Sequence, residues 1–231
     1  SNRSGIFTGH CNHLCGQYQY LYGYGNTYYT VRTSTILGGE CNRICSRSFG
    51  SSIQGGYKNC ICNYYNNDCV WSSVINGGYR NCISDDVYDS IINGGCFNYI
   101  YNSGTSVIEG GYDNCIQYSC KSSIIGGCEI IMRDSNNTQI LGGAWNRSCY
   151  SCANIIAGGG GNRSCNSSRS GIFSGHCNHI CGKYGTCNVE TSTIIGGECN
   201  RICERTYGST IQGGCRNYIC NNIYSSNCVW A

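Results

Sequence analysis

A unit of the form Ser/Thr-x-Ile-x-Gly-Gly-x-x-Asn-x-Ile recurs along the whole chain, as in STIIGGECNRIC (192 to 203), SSVINGGYRNCI (72 to 83) and STIQGGCRNYIC (209 to 220). A fixed period of this length outranks local propensity in deciding a fold. Aligned on its second glycine, the unit places Gly9, Gly39, Gly56, Gly78, Gly95, Gly111, Gly127, Gly143, Gly159, Gly175, Gly197 and Gly214 at spacings of 30, 17, 22 and 17, then five of 16, then 22 and 17. The underlying period is about 16, with insertions at fixed places.

Positions are counted from that second glycine. Position −3 is Ile in every unit: Ile6, Ile36, Ile53, Ile75, Ile92, Ile108, Ile124, Ile140, Ile156, Ile172, Ile194 and Ile211. Position +3 is Asn in eleven units, among them Asn42, Asn59, Asn81, Asn98 and Asn114, and the exception is Ile130. Position +5 is Ile, Leu or Met except at Ser148 and Ser164. Positions −5, −3, +3 and +5 share one parity, so Ser, Ile, Asn and Ile point to one side of two short strands, with the Gly pair as the corner between them. One unit cannot bury its Ile alone. Stacked units can, in an Ile ladder and an Asn ladder whose amides bond from coil to coil. The expected fold is all-β: a parallel β-solenoid of about 12 coils built from ~16-residue repeats. The absence of Pro among 231 residues follows, because every coil's N–H is wanted by a neighbouring coil.

A longer repeat lies over the first. SNRSGIFTGHCNHLC (1 to 15) returns as SSRSGIFSGHCNHIC (167 to 181), and each copy ends in CVW at Trp71 and Trp230. Residues 1–231 therefore read as one solenoid in which 167–231 nearly duplicates 1–71, and 16–33 is a Tyr-rich surface insertion.

The array resembles the Gly-Gly/Asn tandem repeats of uncharacterised bacterial and giant-virus surface proteins and, more distantly, the head β-roll of trimeric autotransporters. The resemblance implies a left-handed parallel coil and an extracellular or virion-surface stalk or fibre.

Twenty-three Cys argue for an oxidising compartment, hence an extracellular, virion or cell-surface location. Eight stand at +6 (Cys15, Cys45, Cys62, Cys149, Cys165, Cys181, Cys203, Cys220) and four at +2 (Cys11, Cys41, Cys177, Cys199), and strand parity assigns both columns to the outer face. Equivalent residues of adjacent coils are about 4.8 Å apart, within disulfide range, so bridges are expected between coils. The candidate pairs are Cys11–Cys41, Cys60–Cys82, Cys149–Cys165 and Cys177–Cys199, with Cys15, Cys45 and Cys62 competing for partners. An odd number of Cys leaves at least one to look outside the chain, and head-to-tail stacking would bring Cys220 beside Cys15 of the next copy.

Other motifs carry less. The clusters His10-Cys11-Asn12-His13-x-Cys15 and His176-Cys177-Asn178-His179-x-Cys181 lack a usual zinc spacing and read as a duplicated surface stripe, so no metal or other cofactor is expected. Carboxylates such as Glu40, Glu109, Glu129 and Glu198 are scattered singly, and the GGGG at 158 to 161 lacks the Lys of a phosphate loop, so no enzyme is expected. Of five glycosylation sequons, those at Asn2, Asn136 and Asn166 lie between coils and are the better acceptors, whereas Asn146 and Asn162 hold the inward ladder position. A net charge of +3 with no basic cluster excludes nucleic acid as a partner, and no apolar run suits membrane insertion. The chain begins at Ser1 and its one Met is Met132, which reads as a processed product or fragment. The functional expectation is a structural subunit of a disulfide-stapled fibre whose partners are copies of itself stacked head to tail through uncapped ends. The alternative is an adhesin or glycan-binding stalk using Tyr18 to Tyr29 and the outer Tyr57, Tyr79 and Tyr112.

Overall fold

A computed structural model describes the chain except residues 1–2, 16, 20–26, 30, 46, 64–68, 183–188, 221–228 and 231. It is a parallel β-solenoid: one 12-stranded sheet collects the two-residue strand at −4 and −3 of each unit, and a second 12-stranded sheet collects the strand at +4 to +6. Two compact units divide the chain, Ser1–Asp113 and Asn114–Ala231.

In the first unit the Ile strands run from Gly5–Ile6 through Thr35–Ile36 to Val107–Ile108, in a register that puts Ile on Ile at every step given, such as Ile75 on Ile92. A third short ladder joins Ser48–Phe49, Val70–Trp71 and Val87–Tyr88. Within the Tyr-rich insertion, Gln17–Gln19 pairs antiparallel with Thr27–Tyr29. The second unit repeats the plan, from Ser123–Ile124 to Thr210–Ile211 and from Cys115–Gln117 to Tyr218–Cys220, with a third ladder of Ser167–Ser168, Val189–Glu190, Thr206–Tyr207 and Val229–Trp230.

In every coil between the first and the last the side chains at −5, −3, +3 and +5 are buried. Ile36, Ile53, Ile75, Ile92, Ile108, Ile124 and Ile140, with Asn42, Asn59, Asn81, Asn98 and Asn114, have no exposed surface. The Asn ladder bonds through the backbone and not amide to amide. Asn81 Nδ2 donates to Gly77 O of its own coil (3.1 Å) and Gly95 O of the next (3.0 Å), while its Oδ1 accepts the N–H of Asn98 (3.0 Å). Every polar edge of the side chain is thus met in the core, as burial requires. The Ser column at −5 works alike: Ser34 Oγ accepts the N–H of Ser51 (3.1 Å) and Ser90 Oγ that of Ser106 (3.0 Å).

The Gly-Gly corner is present, with both glycines at positive φ in most coils, such as Gly77 (98°) and Gly78 (86°), but it is not the only turn. The residue at +2 is left-handed in every coil, with φ between 51° and 64°, although only Gly161 among these is a glycine. Further left-handed residues stand at −6, such as Thr33 and Lys121, and after +6, such as Tyr118 and Asn166. Among the described residues, the coils between the first and the last therefore turn before the Ile strand and after +6 as well as across the Gly-Gly segment. The second glycine serves a different need: a Cβ on Gly78 would meet Gly95 O and come within 2.5 Å of Asn81 Nδ2, so Gly makes room for the Asn ladder beneath it.

Candidate functional site

The cysteines at +6 form columns, but those columns are not on the outer face. Cys45, Cys62, Cys149, Cys165 and Cys203 are buried, and Cys15, Cys181 and Cys220 are half-buried. Parity does send them away from Ile at +5. Stacking in register, together with the side chain at +4, then covers them: Arg147 Nε donates to Cys149 Sγ at 3.1 Å and Arg163 Nε to Cys165 Sγ at 3.0 Å. The +2 cysteines are more open, with Cys11 and Cys199 exposed and Cys41 and Cys177 half-buried.

Two thiol arrays result. In the first unit Cys15 faces Cys45, and Cys60 faces Cys82. Cys60 and Cys62 have sulfurs 2.8 Å apart, a contact along one strand and not between coils. Hydrogen bonding from Cys45 and Cys60, with burial, pushes the Cys62 thiol up, whereas the contact with Cys62 lowers Cys45. Burial raises Cys15 and Cys41, the latter also through Cys11 beside it. In the second unit Cys149, Cys165, Cys181, Cys203 and Cys220 stack one per coil. Among the described residues one disulfide is formed, Cys203–Cys220, with Cα atoms 4.8 Å apart. The Cys177 and Cys199 segments are joined by Cys199 N–H donating to His176 O.

The histidine clusters do not converge. Left-handed Cys177 and buried Asn178 separate His176 from His179, and burial, then Arg201 and Arg163, lower the His179 imidazole from its ordinary range. Among the described residues no group of three or more His, Cys, Asp or Glu could hold a metal ion. Glu40, Glu109, Glu129 and Glu198 are exposed on different coils, and Trp145 Nε1 donates to Glu129 at 2.8 Å.

The aromatic residues of the first unit make a column. Tyr57 and Tyr79 stack with centroids 5.6 Å apart at 10°, Tyr79 meets Phe97 edge-on at 5.3 Å, and Phe97 meets Tyr112 at 5.7 Å. Lys58 Nζ lies 4.7 Å from the Tyr57 centroid and Arg80 over both Tyr79 and Phe97. Ring faces turned on one another and on cations are not presented outward for a sugar to stack on. Tyr18 to Tyr29 lies largely outside the described residues.

Of the sequons, Asn136 is exposed but its Oδ1 accepts the Cys120 N–H at 2.7 Å. Asn166 is half-buried and donates to Gly182 O at 3.4 Å, Asn146 and Asn162 are fully buried, and Asn2 lies outside the described residues. One feature of the second unit escaped sequence reading: Ile125, Leu141, Phe173 and Ile195 at −2, each just past an Ile strand, are all exposed, Ala157 standing between Leu141 and Phe173. Their signal was the parity opposite to Ile at −3. Set against profiles of known families, curated proteins and solved structures, the chain gives no significant match to any of them.

Proposed function

We propose that the chain is a structural subunit of a disulfide-stapled fibre on an extracellular or virion surface, extended head to tail by stacking of coils. The observation that carries this reading is the state of the outermost described coils. Gly5–Ile6 and His13–Cys15 at one edge, and Thr210–Ile211 and Tyr218–Cys220 at the other, are terminal in their sheets. Their core residues are correspondingly open: Ile6 is exposed, and Asn217 Nδ2 reaches Gly213 O of its own coil, whereas Asn200 reaches both its own coil and Gly214. Among the described residues these strands have no further neighbour on one side, and parallel strands of matching register are templates for another coil. A contact placing Ile211 on Ile6 and Asn217 on Asn12 is heterologous and does not close, so it yields a filament.

The aromatic column supports stiffening of the coil stack over glycan capture, because its rings stack on one another. The density of thiols supports a compartment where disulfides persist. Electron microscopy of native material and electrophoresis without reductant test the reading. Filaments, and a ladder of covalent multimers that collapses on reduction, are expected. Monodisperse particles with a single monomer band would overturn it.

A further inference from the structure

The thiol column of the second unit obeys a counting rule. Its registers are Cys149 on Cys165, Cys165 on Cys181, Cys181 on Cys203 and Cys203 on Cys220, and the place before Cys149 is held by Arg133. The run therefore has five members. Neighbours lie one coil apart, as in Cys203–Cys220 with Cα atoms at 4.8 Å, while second neighbours are about 9.6 Å apart, beyond the ~7 Å a disulfide spans. The flanking +4 places are Arg147, Arg163, His179, Arg201 and Tyr218, so among the described residues no further thiol branches the column. Bonds can form only between adjacent members, and two bonds over five places leave one thiol at an odd place.

We propose that Cys149, Cys165, Cys181, Cys203 and Cys220 form a one-dimensional disulfide relay, with two bonds and one thiol that is confined to Cys149, Cys181 or Cys220 and moves among them by thiol–disulfide exchange. The first bond is Cys203–Cys220. The second is made by a small disulfide such as glutathione disulfide: a column thiolate displaces one glutathione thiolate, its neighbour displaces the other, and the two protein thiols give up two electrons and two protons to the glutathione disulfide, which leaves as two glutathione thiols. Movement needs no oxidant. The Cys181 thiolate attacks Cys203 Sγ, the Cys203–Cys220 bond breaks as Cys181–Cys203 forms, and Cys220 leaves as the thiolate. The column is polarised for that step. With Cys165 tied to Cys149, the free Cys181 keeps Arg163 and Arg201 beside it, and their charges favour its thiolate. The relay thus delivers a thiol to half-buried Cys220 while Cys165 and Cys203 stay covered.

The relay belongs to a single chain and stands or falls separately from assembly. The test oxidises the full chain with glutathione disulfide, quenches in acid, alkylates after unfolding with N-ethylmaleimide, and maps column peptides without reduction. Wild type is expected to carry one label per column, at Cys149, Cys181 or Cys220. Cys220→Ser leaves four members that pair completely, so the column label vanishes. Cys203→Ser strands Cys220, so the labels rise to two. Ser is a fitting replacement, since Ser84 occupies the same +6 place opposite Cys62. Slow native alkylation before the quench should gather the wild-type label at Cys220 and Cys181. Labels on Cys165 or Cys203, links that skip a member, or a native label pattern equal to the quenched one would overturn the relay.

Discussion

Asn154 donates its buried amide to Ser164 Oγ at 2.9 Å across the interior of a single coil. Both residues break the repeat: most coils carry Ser at −5 and Ile at +5, as in Ser192 and Ile202, and here a larger residue at −5 faces a smaller one at +5. The amide also reaches Ser167 Oγ (2.8 Å) and Ser167 O (3.1 Å), and its Oδ1 accepts the N–H of Ser170 (2.9 Å), so the exchanged volume arrives with its hydrogen bonds satisfied.

This pair should be strongly coupled. Asn154→Ser alone leaves a cavity and loses partners for Ser164, and Ser164→Ile alone crowds Asn154 and removes its acceptor. Each is expected to cost roughly 1–3 kcal/mol. The double variant restores the common Ser/Ile pair and should be far less destabilised than the sum, with a coupling of about 1–3 kcal/mol in denaturant melts. Additive losses would contradict the compensation.

Ile124 and Ile125 are adjacent, identical in type and opposite in environment, the first fully buried and the second 47% exposed. Ile124→Asn puts an unmatched amide among the stacked Ile and should cost about 3 kcal/mol or more. Ile125→Asn should change stability by less than about 1 kcal/mol. Equal losses would refute the register of the Ile sheet.

Gly158 and Gly159 have nearly the same backbone, φ +80° and +76°, yet a Cβ on Gly158 finds its nearest neighbour at 3.7 Å, whereas on Gly159 it strikes Gly175 O and comes within 2.6 Å of Asn162 Nδ2. Ala at 158 should cost about 1 kcal/mol, the left-handed penalty alone. At 159 the loss should exceed that by at least about 2 kcal/mol, because the Asn ladder must shift. Thermal melts of the two variants compare them directly.

His179 provides a pH test with a fixed sign. Burial, then Arg201 and Arg163, hold its folded pKa below the ordinary value, so the unfolded chain takes up the proton first as pH falls. This histidine therefore removes stability as the pH drops through about 6.5. Between about pH 7.5 and about pH 5.5 the wild type should lose more stability than His179→Gln; parallel curves would show that the imidazole is not desolvated.

The solenoid, its period and its inward side chains were legible in the sequence because each rests on a repeated local choice. Ile at −3, Asn at +3 and Ile at +5 recur at one parity, and a face repeated twelve times has few alternatives to stacking. Even Ile130, which departs from the Asn column, is fully buried, since the interior place selects for exclusion from water before it selects for an amide.

The left-handed turn at +2 and the fate of the cysteines were decided only by the tertiary structure. Position +2 holds Cys, Lys, Arg, Phe, Asp, Glu and Trp, with glycine at Gly161 alone, so the column as a whole does not announce a turn. It is left-handed because the hydrogen bonds reverse direction there: Tyr57 N–H donates forward to Gly78 O, and the next N–H, on Lys58, donates back to Glu40 O. Coils on both sides dictate that reversal, and no local propensity records it. The +6 cysteines follow the same logic. Alternation alone sends them outward, but the register that stacks Cys149 on Cys165 and lays Arg147 and Arg163 over their sulfurs is a relation between coils, and it is that relation which buries them.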